Sequence, residues 1–190
     1  VLEDMGLRPK EYFLISAHRE ENVDSEKNFK DLFESLNAIA ERYDRPVIFS
    51  THPRTMKKIE KNGGLSLDKR IRLLKPFGYF EYIKLQINAR CVISDSGTIT
   101  EESSLLKFPA ITIRQAHERP EGMDEGTLIM SGLTKERVLD SIAIVISQHS
   151  ESVDRFRLIP DYNVDNVSIK VVRIIMSYVD YINRTVWFKS

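Results

Sequence analysis

The sequence lacks the features that define several other classes of protein. It has a single cysteine, Cys91, among 190 residues, so no disulfide can form within the chain, which fits a reducing compartment. No apolar run approaches the ~20 residues that a membrane-spanning helix requires. Lysine plus arginine and aspartate plus glutamate both number 28, so no net charge draws the chain to nucleic acid or to an acidic membrane. We therefore predict a cytoplasmic protein without nucleic-acid or membrane partners.

What the sequence does contain is a regular alternation of short apolar runs and helical patterns, within a length that suits one domain with a substantial core. Strands are predicted at 12–16, 46–51, 71–75, 91–95 and 110–114, and helices at 28–43, 54–61, 79–89, 98–107, 135–149 and 165–183. Asn62-Gly63-Gly64 is interpreted as a break between elements. Strands that are apolar on both faces and alternate with helices favour a parallel sheet covered by helices, of the α/β class. The last helix has no strand after it, so we expect it to pack elsewhere, against another domain.

Polar residues follow the predicted strands at the positions where sheets of this class bind ligands, beyond the carboxyl ends. His18 follows the first strand and His52 the second. Ser96 and Gly97 follow the fourth strand, and Arg114 ends the last predicted one. These residues are candidates for a common site.

The segment Asp95-Ser96-Gly97 joins a predicted strand to a predicted helix. A helix start exposes N–H groups at the positive end of the helix dipole, which suits a phosphate or diphosphate. Gly97 would let the backbone approach such a ligand, and Ser96 would add a hydroxyl donor. The alternative is that Asp95 or Ser96 only caps the helix, which is the simpler explanation of this segment alone.

Carboxylates and guanidiniums come next along the chain. Glu101 and Glu102 lie on the first turns of the helix, and adjacent helical positions point about 100° apart, so they are not a facing acid/base pair. One of them could bind a sugar diol; the alternative is a solvated helix start. The loop 114–122 carries arginines whose forks suit phosphate, unless they only form surface ion pairs. Diphosphate plus ribose would use all these groups, so the residues predict a nucleotide-sugar ligand.

The motifs HREEN at 18–22, THPRT at 51–55 and SDSGT…EES…FPA…R…ERPEG across 94–122 resemble the C-terminal half of the non-hydrolysing UDP-N-acetylglucosamine 2-epimerases. The resemblance covers essentially the whole chain. It implies one half of a GT-B architecture, in which two Rossmann-like domains enclose the active site. Residues 1–190 would then be the C-terminal UDP-binding domain, and 165–190 a terminal helix and tail that pack toward the absent N-terminal domain.

The resemblance also implies site residues. His18 would lie beside the diphosphate or sugar and act in catalysis. The UDP moiety would be held by Ser96 and Gly97 at the diphosphate, Glu102 at the ribose, Arg119 at the phosphates, and Phe77 and Tyr82 at the uracil. The edge of the cleft, or a regulatory site, would be formed by Arg19, His52 and Arg114. No metal ion or other cofactor is implied.

The implied activity is C2 epimerisation of a UDP-N-acetylhexosamine by elimination and re-addition of UDP. The acid/base carboxylates would come mainly from the N-terminal domain, so we predict that the isolated chain is inactive and that the full-length protein is a homodimer. Thr98, Thr100 and His117, with the tail YINRTVW, resemble the branch that converts UDP-2-acetamido-2,6-dideoxy-L-talose to UDP-N-acetyl-L-fucosamine for capsule or O-antigen. The alternatives are a UDP-N-acetylglucosamine to UDP-N-acetylmannosamine epimerase, a GT-B UDP-sugar glycosyltransferase domain, or a module that binds without chemistry of its own.

Overall fold

A computed structural model of the chain describes residues 1–61, 66–116, 119–151 and 158–189. The chain divides into two compact units, Val1–Ile159 and Pro160–Ser190. The strands are β1 (Phe13–Ser16), β2 (Val47–Ser50), β3 (Ile71–Leu74), β4 (Cys91–Ser94), β5 (Ala110–Thr112) and β6 (Ile129–Met130). The helices are α1 (Glu20–Val23), α2 (Glu26–Tyr43), α3 (Pro53–Lys61), α4 (Tyr79–Asn88), α5 (Ile99–Leu106), α6 (Pro120–Asp124), α7 (Lys135–Glu151) and α8 (Val167–Thr185).

The strands of the first unit form one parallel sheet in the order β3-β2-β1-β4-β5-β6. The chain starts in the middle at β1, proceeds outward to β3, then returns to β4 and proceeds to the other edge. The predicted α/β class and Rossmann-like parallel sheet are therefore confirmed. Ser16 pairs with Ser94, so β1 and β4 end side by side where the strand order reverses.

Alternating residues of each strand feed two separate cores, one on each face of the sheet. Phe13 and Ile15 belong to a core cluster that includes side chains of α2 and α7, whereas Leu14 belongs to a second cluster on the α4 face. All three side chains are fully buried. Each such burial stabilises the fold by about 1.5–3 kcal/mol, which explains why apolar residues occupy both faces of the strands.

Helix α2 shows how local sequence sets the ends of an element. The Ser25 side chain accepts a hydrogen bond from the Asn28 N–H at 3.3 Å, which caps the first turn. The helix ends at Asp44, whose backbone is left-handed (φ 49°) and whose carboxylate pairs with Arg70. Between these ends, apolar residues with helical spacing, such as Phe29, bury one face of the helix as predicted.

The structure corrects the predicted elements at three short segments. The last predicted strand, 110–114, is followed by a further strand, β6, which pairs with β5 in parallel and extends the sheet. Helices α1 and α6 occupy motifs that were interpreted as loops. Each is too short for a periodic pattern to develop, although Pro120 at the start of α6 is a usual helix-initiating residue. The predicted break at Asn62-Gly63-Gly64 lies outside the described residues.

The second unit consists mainly of α8, which begins two residues after the start of the predicted terminal helix 165–183 and ends two residues beyond it. None of its residues is buried, and most of its apolar side chains are exposed, for example Ile174 at 58% and Met176 at 70%. Within the described part of the chain, no helix is long and apolar enough to cross a membrane.

Candidate functional site

The loops that follow β1 and β4 meet at the carboxyl edge of the sheet, where the strand order reverses. In doubly wound sheets a crevice opens at this point, because neighbouring connections run to opposite sides of the sheet. The structure therefore brings the predicted residues His18, Arg19, Ser96 and Gly97 to one edge, as the strand-end positions indicated.

Asp95 ties these two loops together. Its side chain is fully buried, and Oδ2 accepts hydrogen bonds from the backbone N–H groups of His18 and Arg19, both at 2.9 Å, and from Asn22 Nδ2 at 3.1 Å. Arg19 Nε in turn donates to the Asp95 backbone carbonyl at 3.0 Å. The helix-cap interpretation of Asp95 is wrong, since the residue before α5 is Thr98 and no side chain caps that helix.

The start of α5 presents backbone N–H groups at the same edge. Within the described ranges, the N–H groups of Gly97, Thr98 and Ile99 donate no hydrogen bond, whereas that of Glu102 already donates to the Thr98 carbonyl. The Ser96 N–H donates to Ser94 Oγ at 3.1 Å, which bends the chain into the helix. These unoccupied donors, at the positive end of α5, are what an anionic oxygen requires.

Arg119 lies directly against this turn. Its Nε donates to Glu101 Oε1 at 2.5 Å, which fixes the guanidinium beside the backbone of Gly97. A Cβ atom added at Gly97 would lie 2.5 Å from Arg119 Nη1, so only glycine leaves room for the arginine in this position. The predicted pair of a small residue and an arginine is thus one structural unit, and Glu101 is its anchor.

Helix α6 packs tightly on α5 and closes one side of the site. A Cβ atom at Gly122 would lie 2.1 Å from Thr100 Cγ2, so the two helices touch at this glycine. The resulting narrow cleft, of about 270 Å³, is lined by Ser96, Gly97, Thr100, Thr112, Arg114, Arg119 and Met123. Arg114 is buried (6% exposed), with Nε 3.5 Å from Glu21 Oε1. His117, between the two arginines, lies outside the described residues.

Glu102 is held from the α4 side of the sheet. Gln86, which is buried, donates from Nε2 to Glu102 Oε2 at 2.6 Å. Tyr82 is nearby: burial raises the pKa of its phenol, with the Glu102 carboxylate a smaller cause in the same direction. Phe77 and Tyr82 both pack against the second core cluster.

A second, open cleft of about 930 Å³ adjoins the first through Ser96. Its other lining residues are His18, Arg19, Glu20, Glu21, His52 and Arg54. The rings of His18 and His52 lie 6.0 Å apart. Arg54 pairs with Glu20 at 2.7 Å and with Asp24 at 2.5 Å, so Glu20 of the HREEN motif takes part in a defined ion-pair network. In the described ranges, no group of three or more His, Cys, Asp or Glu side chains is placed to hold a metal ion.

Four contributors to the site were not recognised in the sequence: Asn22, Gln86, Asp95 and Glu101. Their roles are to hold other residues, and no local motif marks that role. The contact between Gln86 and Glu102 spans 16 positions and two elements, and that between Asn22 and Asp95 spans 73. Only the position of Asp95, at the end of an apolar strand beside a Ser-Gly turn, offered a signal.

A parallel sheet of this order, with helices on both faces, defines an α/β domain of the Rossmann-like class. The chain belongs to the UDP-N-acetylglucosamine 2-epimerase family, whose model matches residues 1–176.

Individual relatives agree with this assignment. The chain is 49% identical, with a TM-score of 0.83, to the solved UDP-N-acetylglucosamine 2-epimerase from Rickettsia bellii. The match covers 99% of this chain and 50% of that one. It is 34% identical, with a TM-score of 0.77, to the Methanocaldococcus jannaschii enzyme solved with UDP-GlcNAc and UDP. That match covers 87% of this chain and 45% of the other. The curated UDP-N-acetylglucosamine 2-epimerase of M. jannaschii is 38% identical over 141 residues, which are 73% of this chain and 38% of that protein. The chain thus spans half or less of the length of these relatives.

Proposed function

We propose that the chain is the UDP-binding half of a UDP-N-acetylhexosamine 2-epimerase, an isomerase that uses no metal or other cofactor. The observation that carries the proposal is the unit formed by Gly97, Glu101 and Arg119 beside the free N–H groups of α5. A fixed guanidinium and helix-start donors converge on one narrow cleft. The family membership of the chain and the UDP complex of the M. jannaschii relative support the same ligand.

In this proposal the diphosphate lies against Ser96 and Gly97. The N–H groups at the start of α5 and the guanidinium of Arg119 donate to its oxygens. Because Glu101 occupies Nε, the terminal nitrogens of Arg119 remain directed at Gly97, where the phosphate would approach. The role of Glu101 is to hold that geometry, so the paired glutamates have different functions.

Glu102 is proposed to bind the ribose hydroxyls. Its Oε2 accepts from Gln86, which leaves Oε1 as the acceptor for a sugar diol. We propose Phe77, which precedes α4, and Tyr82, in the first turn of α4, as the uracil-contacting segment. Arg19 and His52, in the open cleft beside His18, and Arg114, in the narrow cleft, would form the substrate-side or regulatory edge.

The proposed reaction is the loss of UDP from C1 together with the C2 proton, followed by re-addition of UDP after protonation of the opposite face. As the C1–O bond breaks, negative charge gathers on the diphosphate. Fixed donors at that position stabilise the charge without reorganisation, which lowers the barrier. His18 is proposed as the catalytic residue of this chain, beside the leaving diphosphate. The acid/base carboxylates would lie on an N-terminal domain, so the isolated chain would not turn over.

We further propose that α8 and the tail through residue 190 pack on that N-terminal domain, completing a GT-B arrangement that is a homodimer when full-length. An amphipathic helix with no buried residue has apolar surface to cover. The length of the relatives, about twice that of this chain, supports a second domain.

For the substrate we propose UDP-2-acetamido-2,6-dideoxy-L-talose, converted in the cytoplasm to UDP-N-acetyl-L-fucosamine for capsule or O-antigen. The support is the pattern of threonines at the site. Thr98 Oγ1 lies 3.0 Å from Ser96 Oγ, and Thr100 packs against Gly122, so both line the diphosphate turn.

The test is an assay of C2 epimerisation, in which NMR in deuterated water monitors the sugar C2–H signal. A protein that joins this chain to its N-terminal half should exchange and epimerise the 6-deoxy-talose sugar, and the 190-residue chain alone should bind UDP without turnover. Turnover of UDP-N-acetylglucosamine only would contradict the substrate proposal. Sugar transfer to an acceptor without C2 exchange would contradict the reaction and favour a glycosyltransferase.

A further inference from the structure

His18 and His52 line the same open cleft, but their ring nitrogens face different partners. His18 Nδ1 lies 3.3 Å from Asp95 Oδ1, a buried oxygen for which no hydrogen-bond partner of good geometry is found in the described part of the chain. His52 Nδ1 instead lies 3.3 Å from the backbone N–H of Arg54 and accepts its hydrogen bond. Which ring nitrogen carries the proton in a neutral histidine is set by such contacts.

Asp95 can act on His18 only as an acceptor. Its Oδ2 already receives three hydrogen bonds, from the N–H groups of His18 and Arg19 and from Asn22, which is the arrangement of an ionised carboxylate. The remaining oxygen, Oδ1, has no solvent to accept from, because the side chain is fully buried. The group that can satisfy it is the N–H of His18 Nδ1, at 3.3 Å, a separation typical of such contacts before a ligand binds.

We propose that Asp95 is a positioning residue that holds neutral His18 in the Nδ1–H tautomer and presents Nε2 to the cleft, while the Arg54 N–H holds His52 in the opposite, Nε2–H tautomer. The two histidines then offer opposite chemistry to the same space. His18 presents a basic nitrogen, and His52 presents a donor.

The consequence for His18 rests on the proposed function. A basic Nε2 facing a diphosphate repels it, but becomes a donor once it takes up a proton, and the imidazolium then lies between Asp95 and the diphosphate. The charged and titratable groups around the ring are Asp95 at Nδ1 and, along the cleft, Arg19, Glu20, Glu21, His52 and Arg54. UDP binding should therefore add a proton to His18, ready for the leaving group.

The tautomers can be read directly from long-range ¹H–¹⁵N correlations of the 190-residue chain at about pH 8.5, two units above the ordinary histidine pKa of about 6.5. The nitrogen without a proton resonates far downfield of the nitrogen that bears one. Signals are assigned by their loss in His18→Gln and His52→Gln. We expect Nδ1–H for His18 and Nε2–H for His52. An Nε2–H form of His18 overturns the proposal.

Asp95→Asn isolates the role of the carboxylate. The amide oxygen can keep the three hydrogen bonds now made to Oδ2, while the amide NH₂ faces His18 Nδ1 and donates to it. We expect His18 to change to Nε2–H and His52, the internal control, to stay unchanged. A folded variant in which His18 keeps Nδ1–H overturns the assignment to Asp95. If the variant does not fold, the wild-type tautomer decides.

Calorimetry with UDP in two buffers of different ionisation enthalpy separates this inference from the proposed function. At about pH 7.5 we expect net uptake of a substantial fraction of one proton per UDP bound by the wild-type chain, and loss of that uptake in His18→Gln. Binding without proton uptake overturns the proposed action of Nε2. Absence of any binding contradicts the proposed function instead, and the tautomer result stands by itself.

Discussion

Two clefts in the described part of the first unit, the narrow cleft and a larger, apolar one, differ in what lines them. The narrow cleft at the ends of β4 and β5 has a volume of about 270 Å³, and its Arg119 is held beside Gly97 by Glu101. The other, between α5 and α7, encloses about 530 Å³ and is lined largely by apolar groups such as Phe108, Pro109 and Val145. His149 lines the larger cleft, and burial lowers its pKa, so this side chain supplies no positive charge there at neutral pH.

Fixed donors, and not volume, distinguish the proposed anion site from the apolar cleft. In the narrow cleft, Glu101 holds Arg119 and Asp95 holds the loop of His18 before any ligand arrives. Donors that are already oriented lose little entropy on binding, so a small cleft can bind a diphosphate more strongly than a large apolar one. Substitutions in the two clefts and ligand protection of the sheet test this contrast.

Arg119→Ala should weaken UDP binding by about 10–100-fold, because a charged hydrogen bond to phosphate contributes about 1.5–3 kcal/mol. The matched control is Arg137→Ala, which removes an exposed arginine of α7 and should leave the affinity within about twofold of wild type. Isothermal calorimetry on the 190-residue chain measures both. Equal affinities for the two variants would remove Arg119 from the site.

UDP should protect Cys91 from thiol reagents. The thiol is fully buried and burial raises its pKa, so it reacts only when the chain unfolds. At a UDP concentration ten times the dissociation constant, we expect labelling about tenfold slower, since ligand binding stabilises the native state by that factor. In Arg119→Ala the same UDP concentration should give little protection. Rapid labelling of the native chain would contradict the burial of this strand.

Gly97→Ala should reduce UDP affinity by about fivefold, since its Cβ would displace the Arg119 guanidinium. The effect should disappear when the substitution is made in Arg119→Ala, because no guanidinium is then left to displace. A double-mutant cycle of the two variants measures the coupling. Additive effects would mean that Gly97 acts through backbone approach to the ligand and not through the arginine.

Lys107→Gly should stabilise the chain without changing UDP affinity. Lys107 ends α5 in the left-handed region (φ 53°) and lines the larger cleft. Glycine adopts this conformation without the penalty of a Cβ, so we expect a gain of about 0.5–1 kcal/mol and a rise in Tm of about 2–4 °C. Lys107→Ala keeps the Cβ and is the control, with no gain expected. A loss of UDP affinity in either variant would bring the larger cleft into the site.

The fold could be predicted from the sequence because the strand residues contribute apolar side chains to the cores on both faces of the sheet. Residues such as Phe13, Leu14 and Ile15 are apolar in succession, which a sheet covered on both faces requires. Strand β6 could not be predicted, since two residues carry no period and its pairing with β5 depends on the sheet already being present.

The site was predicted in part, for a related physical reason. Strand ends placed His18, Ser96 and Gly97 at one edge, because all parallel strands end on the same side. Asp95 was missed because a carboxylate beside a turn also suits a helix cap, and only the three-dimensional arrangement shows that it bonds to the loop after β1. The separate roles of Glu101 and Glu102 likewise depend on partners from α6 and α4.

The most direct test of the account is a UDP titration of the 190-residue chain, followed by ¹H–¹⁵N spectra of the backbone. We predict saturable shifts concentrated at the amides of Gly97, Thr98 and Ile99 and at His18 and Arg19, with the amides around Phe108 and His149 unchanged. Shifts confined to the larger cleft, or no saturable shifts at all, would contradict the assignment of the diphosphate to the start of α5.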